Sequence, residues 1–212
     1  MKTILFDLDG TLTDSGEGII NCAWLALKAF DLPLPDRETM RVFVGPPLRD
    51  SFLRFGVPED QVEKAIEIYR SRYVPTGMFE NTPYPGIRSM LGALKDAGFR
   101  LLVATAKPES MATAILEKFQ LSGYFEMICG ASMDSSRDSK DKVIAYLLEK
   151  TGGGDDYVMI GDTAYDVEGA AVNGIPTIGV AWGYGKVEDM VAAGAKAIAN
   201  SPAQLLTLLT DM

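Results

Sequence analysis

Apolar and polar residues alternate along this chain in two distinct rhythms. From residue 83 onward, short apolar runs at 99–105, 125–129, 157–160 and 176–180 are separated by stretches with helical spacing. Those stretches lie at 109–119, 140–150 and 164–173, with two more near 187–193 and 203–209. Such alternation of strand and helix predicts a parallel, doubly wound α/β sheet of the Rossmann-like kind. The N-terminal run Thr3-Ile4-Leu5-Phe6 reads as a further strand of the same sheet. Between it and the rest, residues 15–82 carry almost no strand pattern. Ile19, Ile20, Ala23, Trp24, Leu27 and Phe30 recur at helical spacing, as do Val62, Ala65, Ile66 and Tyr69, with breaks at Pro33-Leu34-Pro35, Gly45-Pro46-Pro47 and Gly56-Val57-Pro58. The expected organisation is a core of residues 1–14 and 83–212 with an inserted α-helical cap at 15–82. Asp14 and Pro83-Tyr84-Pro85-Gly86 would be its hinges, and the insert would stand over the end of the first strand as a lid.

The ends of the strands carry the candidate chemistry. In open α/β sheets ligands bind beyond the carboxyl ends of the strands, where loops fan apart and helix N-termini offer free N–H groups. The first strand runs directly into Asp7-Leu8-Asp9-Gly10-Thr11, and period-two geometry places Asp7 and Asp9 on one side if the chain stays extended. The strand at 100–104 runs into Thr105, then Ala106-Lys107-Pro108; the strand at 157–160 runs into Gly161-Asp162-Thr163-Ala164-Tyr165-Asp166. Parallel strands put all of these ends on one rim. Each residue has a plainer use, since Asp-Gly is a common turn and Thr105 or Asp162 can cap the helix that follows. Their convergence favours a site. Several carboxylates on one rim repel one another unless a cation holds them, and a donor set of oxygens alone favours Mg2+ over zinc. A hydroxyl and backbone N–H groups at Thr105 suit phosphate oxygens. The balancing cation would come from Lys140, with Lys142 and Lys107 as competitors.

Composition narrows the choice further. The 212 residues suffice for a large domain or a core with a smaller insert, and contain no histidine, which removes Ser-His-Asp hydrolysis and histidine-ligated zinc. Cys22 and Cys129 lack metal or disulfide spacing and are expected to be buried thiols, while Trp24, Trp182 and the methionines are expected in the core. A formal charge of −9 with no basic cluster speaks against nucleic-acid polymers and anionic lipid. Neither a signal peptide nor an apolar run of membrane-spanning length is visible, so the expectation is a soluble cytoplasmic protein, monomer or homodimer.

Taken together, Asp7-Leu8-Asp9-Gly10-Thr11-Leu12, Thr105, a downstream lysine and Gly161-Asp162-Thr163-Ala164-Tyr165-Asp166 resemble the four motifs of the haloacid dehalogenase-like hydrolases. The helical insert with Val44-Gly45-Pro46-Pro47-Leu48, together with Tyr84-Pro85-Gly86 and Trp182-Gly183-Tyr184-Gly185, is most similar to the phosphoglycolate phosphatase-like branch. The resemblance implies a Mg2+-dependent phosphatase acting on a small phosphorylated metabolite. Asp7 would be the nucleophile that becomes an aspartyl-phosphate, and Asp9 the acid that protonates the leaving oxygen and later activates water. Mg2+ would be held by the Asp7 carboxylate, the Asp9 carbonyl and Asp162, with Asp166 nearby. Gly10, Thr11, Thr105, Ala106 and Lys140 would contact the substrate, joined by Gly45 and Arg49 from the cap. Many relatives carry a proline directly after the lysine; here Asp141 follows Lys140, which keeps Lys142 in play. Phosphoglycolate, nucleoside monophosphates and sugar phosphates all fit as substrates. The rival readings are a β-phosphoglucomutase-like phosphomutase and a catalytically silent regulator that binds a phosphometabolite.

Overall fold

In the computed structural model, which describes residues 2–134, 136–154 and 156–211, the first strand β1 (Thr3–Phe6) has all four residues buried. Strands buried on both faces read as continuous apolar runs, and β1 is flanked on either side within a parallel sheet. The remaining strands are β2 (Thr13–Asp14), β3 (Thr82–Pro83), β4 (Arg100–Pro108), β5 (Met127–Ala131), β6 (Tyr157–Gly161), β7 (Thr177–Val180) and β8 (Ala197–Ala199). Among the described residues, six of them form one sheet in the order β5-β4-β1-β6-β7-β8, with every neighbouring pair parallel. The helices are α1 (Gly16–Ala29), α2 (Arg37–Met40), α3 (Leu48–Arg54), α4 (Val62–Tyr73), α5 (Ile87–Asp96), α6 (Glu109–Lys118), α7 (Lys140–Thr151), α8 (Ala164–Val172), α9 (Val187–Ala192) and α10 (Pro202–Thr210).

After β1 the chain builds outward through β4 and β5, then crosses back to place β6 on the other side of β1. The strand order therefore reverses at β1, and the crevice beyond its end is the place where such sheets bind ligands. Register locks this arrangement: Leu5 stands opposite Leu102 on β4 and opposite Met159 on β6. That row joins Val143, Ile144 and Leu147 of α7 and Ala170 of α8 in one buried cluster, which presses both helices onto the sheet. At about 25 cal/mol per Å2 of apolar surface removed from water, such a layer is the main stabilising contribution of the core.

The chain divides into two compact units, Met1–Thr13 with Pro83–Met212, and Asp14–Thr82. The second is helical apart from the strand residues at its ends. Its interior is aromatic, with Phe43 against Phe52 and Phe55, and Tyr69 stacked on Tyr73 at 5.0 Å between ring centroids. Arg72 and Glu80 form a bidentate pair with contacts of 2.8 and 2.6 Å, to which Asn21 adds a hydrogen bond.

Several elements depart from the pattern expected. β4 does not end at Thr105 but continues to Pro108, with its pairing to β5 shifted between Ala104 and Pro108. β5 lies two residues later than expected. α5 and β8 have no counterpart in the expected elements: α5 directly follows the Pro-Gly break at 83–86, and β8 is too short for a period to show. Cys22 and Cys129 are free and buried, and burial pushes the Cys129 thiol up to about 11. Trp24, Met127 and Trp182 are only half-buried and Met133 is exposed, so the expectation of core positions fails for these four. Among the described residues, no helix is long and apolar enough to cross a membrane.

Candidate active site

Asp7 continues the ladder of β1, donating its N–H to the Ile160 carbonyl at 2.9 Å. The chain then bends at Leu8, whose carbonyl accepts the N–H groups of Leu12 at 2.9 Å and Thr13 at 3.0 Å. Gly10 permits the turn with a φ of 81°, a region side chains disfavour, and donates its N–H to Thr13. The expectation of an extended Asp7-Leu8-Asp9 is therefore corrected. Asp7 enters a cluster with Asp162 and Asp166, all three buried and with carboxylate oxygens within 4.8 Å of one another. The Asp9 carboxylate turns to Lys107 instead, with Oδ2 at 2.5 Å from Nζ, and its Oδ1 is buried without a hydrogen-bond partner among the described residues.

Lys140 is placed by helix periodicity. It lies three, four and seven residues before Val143, Ile144 and Leu147, on the stripe of α7 that faces the sheet. Its Nζ reaches Asp7 Oδ1 at 2.8 Å, Asp166 Oδ1 at 2.7 Å and the Ala104 carbonyl at 3.0 Å. One ammonium thus lies against three oxygens, its contact with Asp7 Oδ1 being an ion pair without hydrogen-bond geometry. Burial works against the ammonium, but the charges of Asp166 and Asp7 outweigh it and hold its pKa above the ordinary lysine value. Lys142, two residues on, falls off the stripe and pairs with Asp138 on the exposed face. Of the polar run before α7, Ser135 lies outside the described residues.

Asp162 and Asp166 come from the loop after β6 and the first turn of α8. Asp166 closes a capping box with Thr163, accepting its N–H at 3.0 Å and its hydroxyl at 2.9 Å on Oδ2, so that Oδ1 is left to Lys140. Asp162 accepts the Thr11 hydroxyl at 3.1 Å on Oδ1 and the Tyr184 N–H at 2.8 Å on Oδ2. Burial, followed by the charges of Asp166 and Asp7, pushes the Asp162 carboxyl well above the usual range. Burial likewise raises Asp166, although Lys140 opposes the shift. Burial leads both shifts and like charge adds to it: with all three carboxylates ionised, Lys140 leaves two negative charges uncompensated in the buried cluster. Oxygen donors carrying that deficit fit a hard divalent cation.

Thr105 is buried on β4, where its hydroxyl accepts the Lys107 N–H at 3.3 Å, and Ala106 beside it is half-buried. Gly10 and Thr11, expected to contact substrate, use the Gly10 N–H and the Thr11 hydroxyl to hold the loop and Asp162. Gly45 and Arg49 lie in the Asp14–Thr82 unit, where Gly45 turns the chain with a φ of 106° and Arg49 bridges Glu59 and Glu63 at 3.3 Å. Two features escape sequence reasoning. Lys107 pairs with Asp9, and a loop far downstream reaches the site through Trp182 and Tyr184. A main-chain donor such as Tyr184 N–H leaves no signature in residue type.

A family model described as haloacid dehalogenase-like hydrolase matches residues 4–180 of the chain. A tyrosine-protein kinase PtkA from Mycobacterium tuberculosis is 42% identical over 188 residues, 88% of this chain; the chain spans 64% of that relative's length. A 5'-nucleotidase from Pseudomonas aeruginosa is 39% identical, covering 89% of this chain and 86% of the relative. A phosphoglycolate phosphatase from Caulobacter vibrioides is 32% identical, covering 99% and 92%. Among solved structures, a predicted phosphatase from Clostridium acetobutylicum superposes with a TM-score of 0.96 at 44% identity, covering 100% of this chain and 99% of that one.

Proposed function

Because the chain belongs to the haloacid dehalogenase-like hydrolase family, in its phosphoglycolate phosphatase-like branch, we propose that it is a Mg2+-dependent phosphatase working through an aspartyl-phosphate on Asp7. The observation that carries this reading is the Lys140 ammonium, held between Asp7 and Asp166 inside a buried cluster of three carboxylates. A nucleophilic carboxylate attacking a charged phosphoryl group needs its surroundings neutralised, and Lys140 does so while fixing the carboxylate's direction. The carboxylates of Asp7 and Asp162 with the Asp9 carbonyl would hold Mg2+, Asp166 lying beside them. When bound, the ion supplies positive charge to the phosphoryl oxygens.

In the first half-reaction an Asp7 oxygen bonds to phosphorus as the bond to the leaving oxygen breaks, and protonated Asp9 gives that oxygen its proton. In the second, the Asp9 carboxylate takes a proton from water as the water oxygen bonds to phosphorus, freeing inorganic phosphate and restoring Asp7. One Asp9 oxygen is held by Lys107 while the other has no hydrogen-bond partner among the described residues, which suits an acid that must exchange a proton with its ligand. The Thr105 hydroxyl and Ala106 N–H are the proposed phosphoryl contacts from β4. The named relatives favour phosphoglycolate and nucleoside monophosphates as the substrates to try first.

Phosphate release is measured from para-nitrophenyl phosphate and a panel holding phosphoglycolate, nucleoside monophosphates, sugar phosphates and phosphotyrosine, with Mg2+ or with EDTA. Mg2+-dependent release is expected, falling by about a thousandfold or more in Asp7→Asn, as removal of a nucleophile does elsewhere. A folded protein that releases no phosphate, or that instead phosphorylates tyrosine from ATP, overturns the reading.

A further inference from the structure

We propose that the loop at 182–185 is a positioning device for the metal site, fixing the Asp162 carboxylate together with the loop that follows β1. The inference rests on the reading of the site given above.

The loop follows β7, the sheet neighbour of β6, so its start lies beside the strand that delivers Asp162. It makes two hydrogen bonds into the site. Tyr184 donates its main-chain N–H to Asp162 Oδ2 at 2.8 Å, and the Trp182 indole donates to the Thr11 carbonyl at 3.0 Å. Thr11 in turn donates its hydroxyl to Asp162 Oδ1 at 3.1 Å. The ends of β1, β6 and β7 are therefore tied together at one carboxylate, each of whose oxygens takes one donor.

Steric fit acts in the same sense. A Cβ added at Gly10 would overlap the Asp162 carboxylate, and so would a Cβ added at Gly183. The carboxylate sits in a slot that only the absence of both side chains leaves open. Clamped this way it cannot rotate, and each oxygen, having accepted one hydrogen bond, keeps a lone pair for a cation. Residues that orient a ligand without touching the ion govern affinity by preventing its reorientation on binding. Gly183 and Trp182 are thus positioning residues, acting through Asp162 and Thr11.

The test is Mg2+ binding measured by calorimetry without substrate, on wild type, Gly183→Ala and Trp182→Phe, beside thermal melts of each in EDTA. Wild type is expected to bind Mg2+, and Gly183→Ala, folded in EDTA but melting lower because its added Cβ overlaps Asp162, to bind about tenfold or more weakly. Trp182→Phe keeps an aromatic side chain but loses the N–H together with the pyrrole half of the indole, and is expected to weaken Mg2+ binding several-fold; it decides the matter alone if Gly183→Ala does not fold. Variants that bind Mg2+ within about twofold of wild type, whether or not their EDTA melting temperature has dropped, leave the loop a packing element and overturn the proposal. Wild-type protein that takes up no Mg2+ overturns the reading of the site itself, and the loop's role falls with it.

Discussion

At the scale of single residues, the two lysines at 140 and 142 show how position on a helix decides chemistry. Lys140 is buried with its ammonium against Asp7, Asp166 and the Ala104 carbonyl, whereas Lys142 is half-exposed and paired with Asp138. Removing one partner of a buried ion cluster leaves the others uncompensated, so Lys140→Ala is expected to destabilise the protein by about 3–5 kcal/mol, read from urea midpoints. Lys142→Ala is expected to leave the midpoint where it was, because an exposed pair with Asp138 is screened by water. Comparable losses from the two variants would contradict the assignment. Sequence alone leaves the two lysines in competition, since both follow the same polar run and both begin the same helix.

At the scale of elements, α8 and the insert each join a backbone device to a charge. The capping box of α8 uses Asp166 Oδ2 for the helix and leaves Oδ1 for Lys140, so one carboxylate serves both fold and site. In the insert, the hydrogen bond from Arg72, helped by Asn21, holds the Glu80 carboxyl below its ordinary value of 4.5 despite burial. Because the folded-state pKa is the lower one, the pair stabilises the native state above pH 4.5, and that contribution disappears as pH falls through the folded value. Glu80→Gln is therefore expected to cost about 1 kcal/mol at neutral pH and nothing below that window. Acid titration of both proteins by circular dichroism checks it; an equal gap at every pH would show that the carboxylate's charge plays no part.

At the scale of the whole molecule, an excess of acidic residues is concentrated where the strand order reverses. Asp162 and Asp166 have pKa values raised by burial, so the native state binds protons more readily than the unfolded chain. Without metal, stability is expected to rise as pH falls from neutrality through those raised values toward the ordinary 3.8, the reverse of the Glu80 effect. Saturating Mg2+ is expected to add about 2.7 kcal/mol at a hundred times its dissociation constant and to flatten that pH dependence. Thermal melts between pH 7 and pH 5, in EDTA and in Mg2+, measure both. A melting temperature indifferent to Mg2+ across that range would argue against a divalent cation among these carboxylates.

The sequence by itself determined most of the elements, though not α5 or β8, and which strand ends carry the candidate carboxylates. Burial on both faces makes the inner strands of a parallel sheet continuous apolar runs, which is why 3–6 and 157–160 are legible. Residues just past such runs stand on a common rim, so Asp7 and Asp162 could be paired across more than half the chain. Tertiary structure decided what one-dimensional spacing does not encode. The bend at Leu8 separates Asp7 from Asp9, and the orientation of α7 selects Lys140 over Lys142. Lys107 is delivered to Asp9 where the pairing of β4 shifts, and Tyr184 brings only a main-chain N–H to Asp162. A strand or a helix announces itself because its side chains repeat with the backbone's own period. A hydrogen bond from a loop after β7 to a carboxylate after β6 has no period at all, and exists only once packing has brought the two loops together.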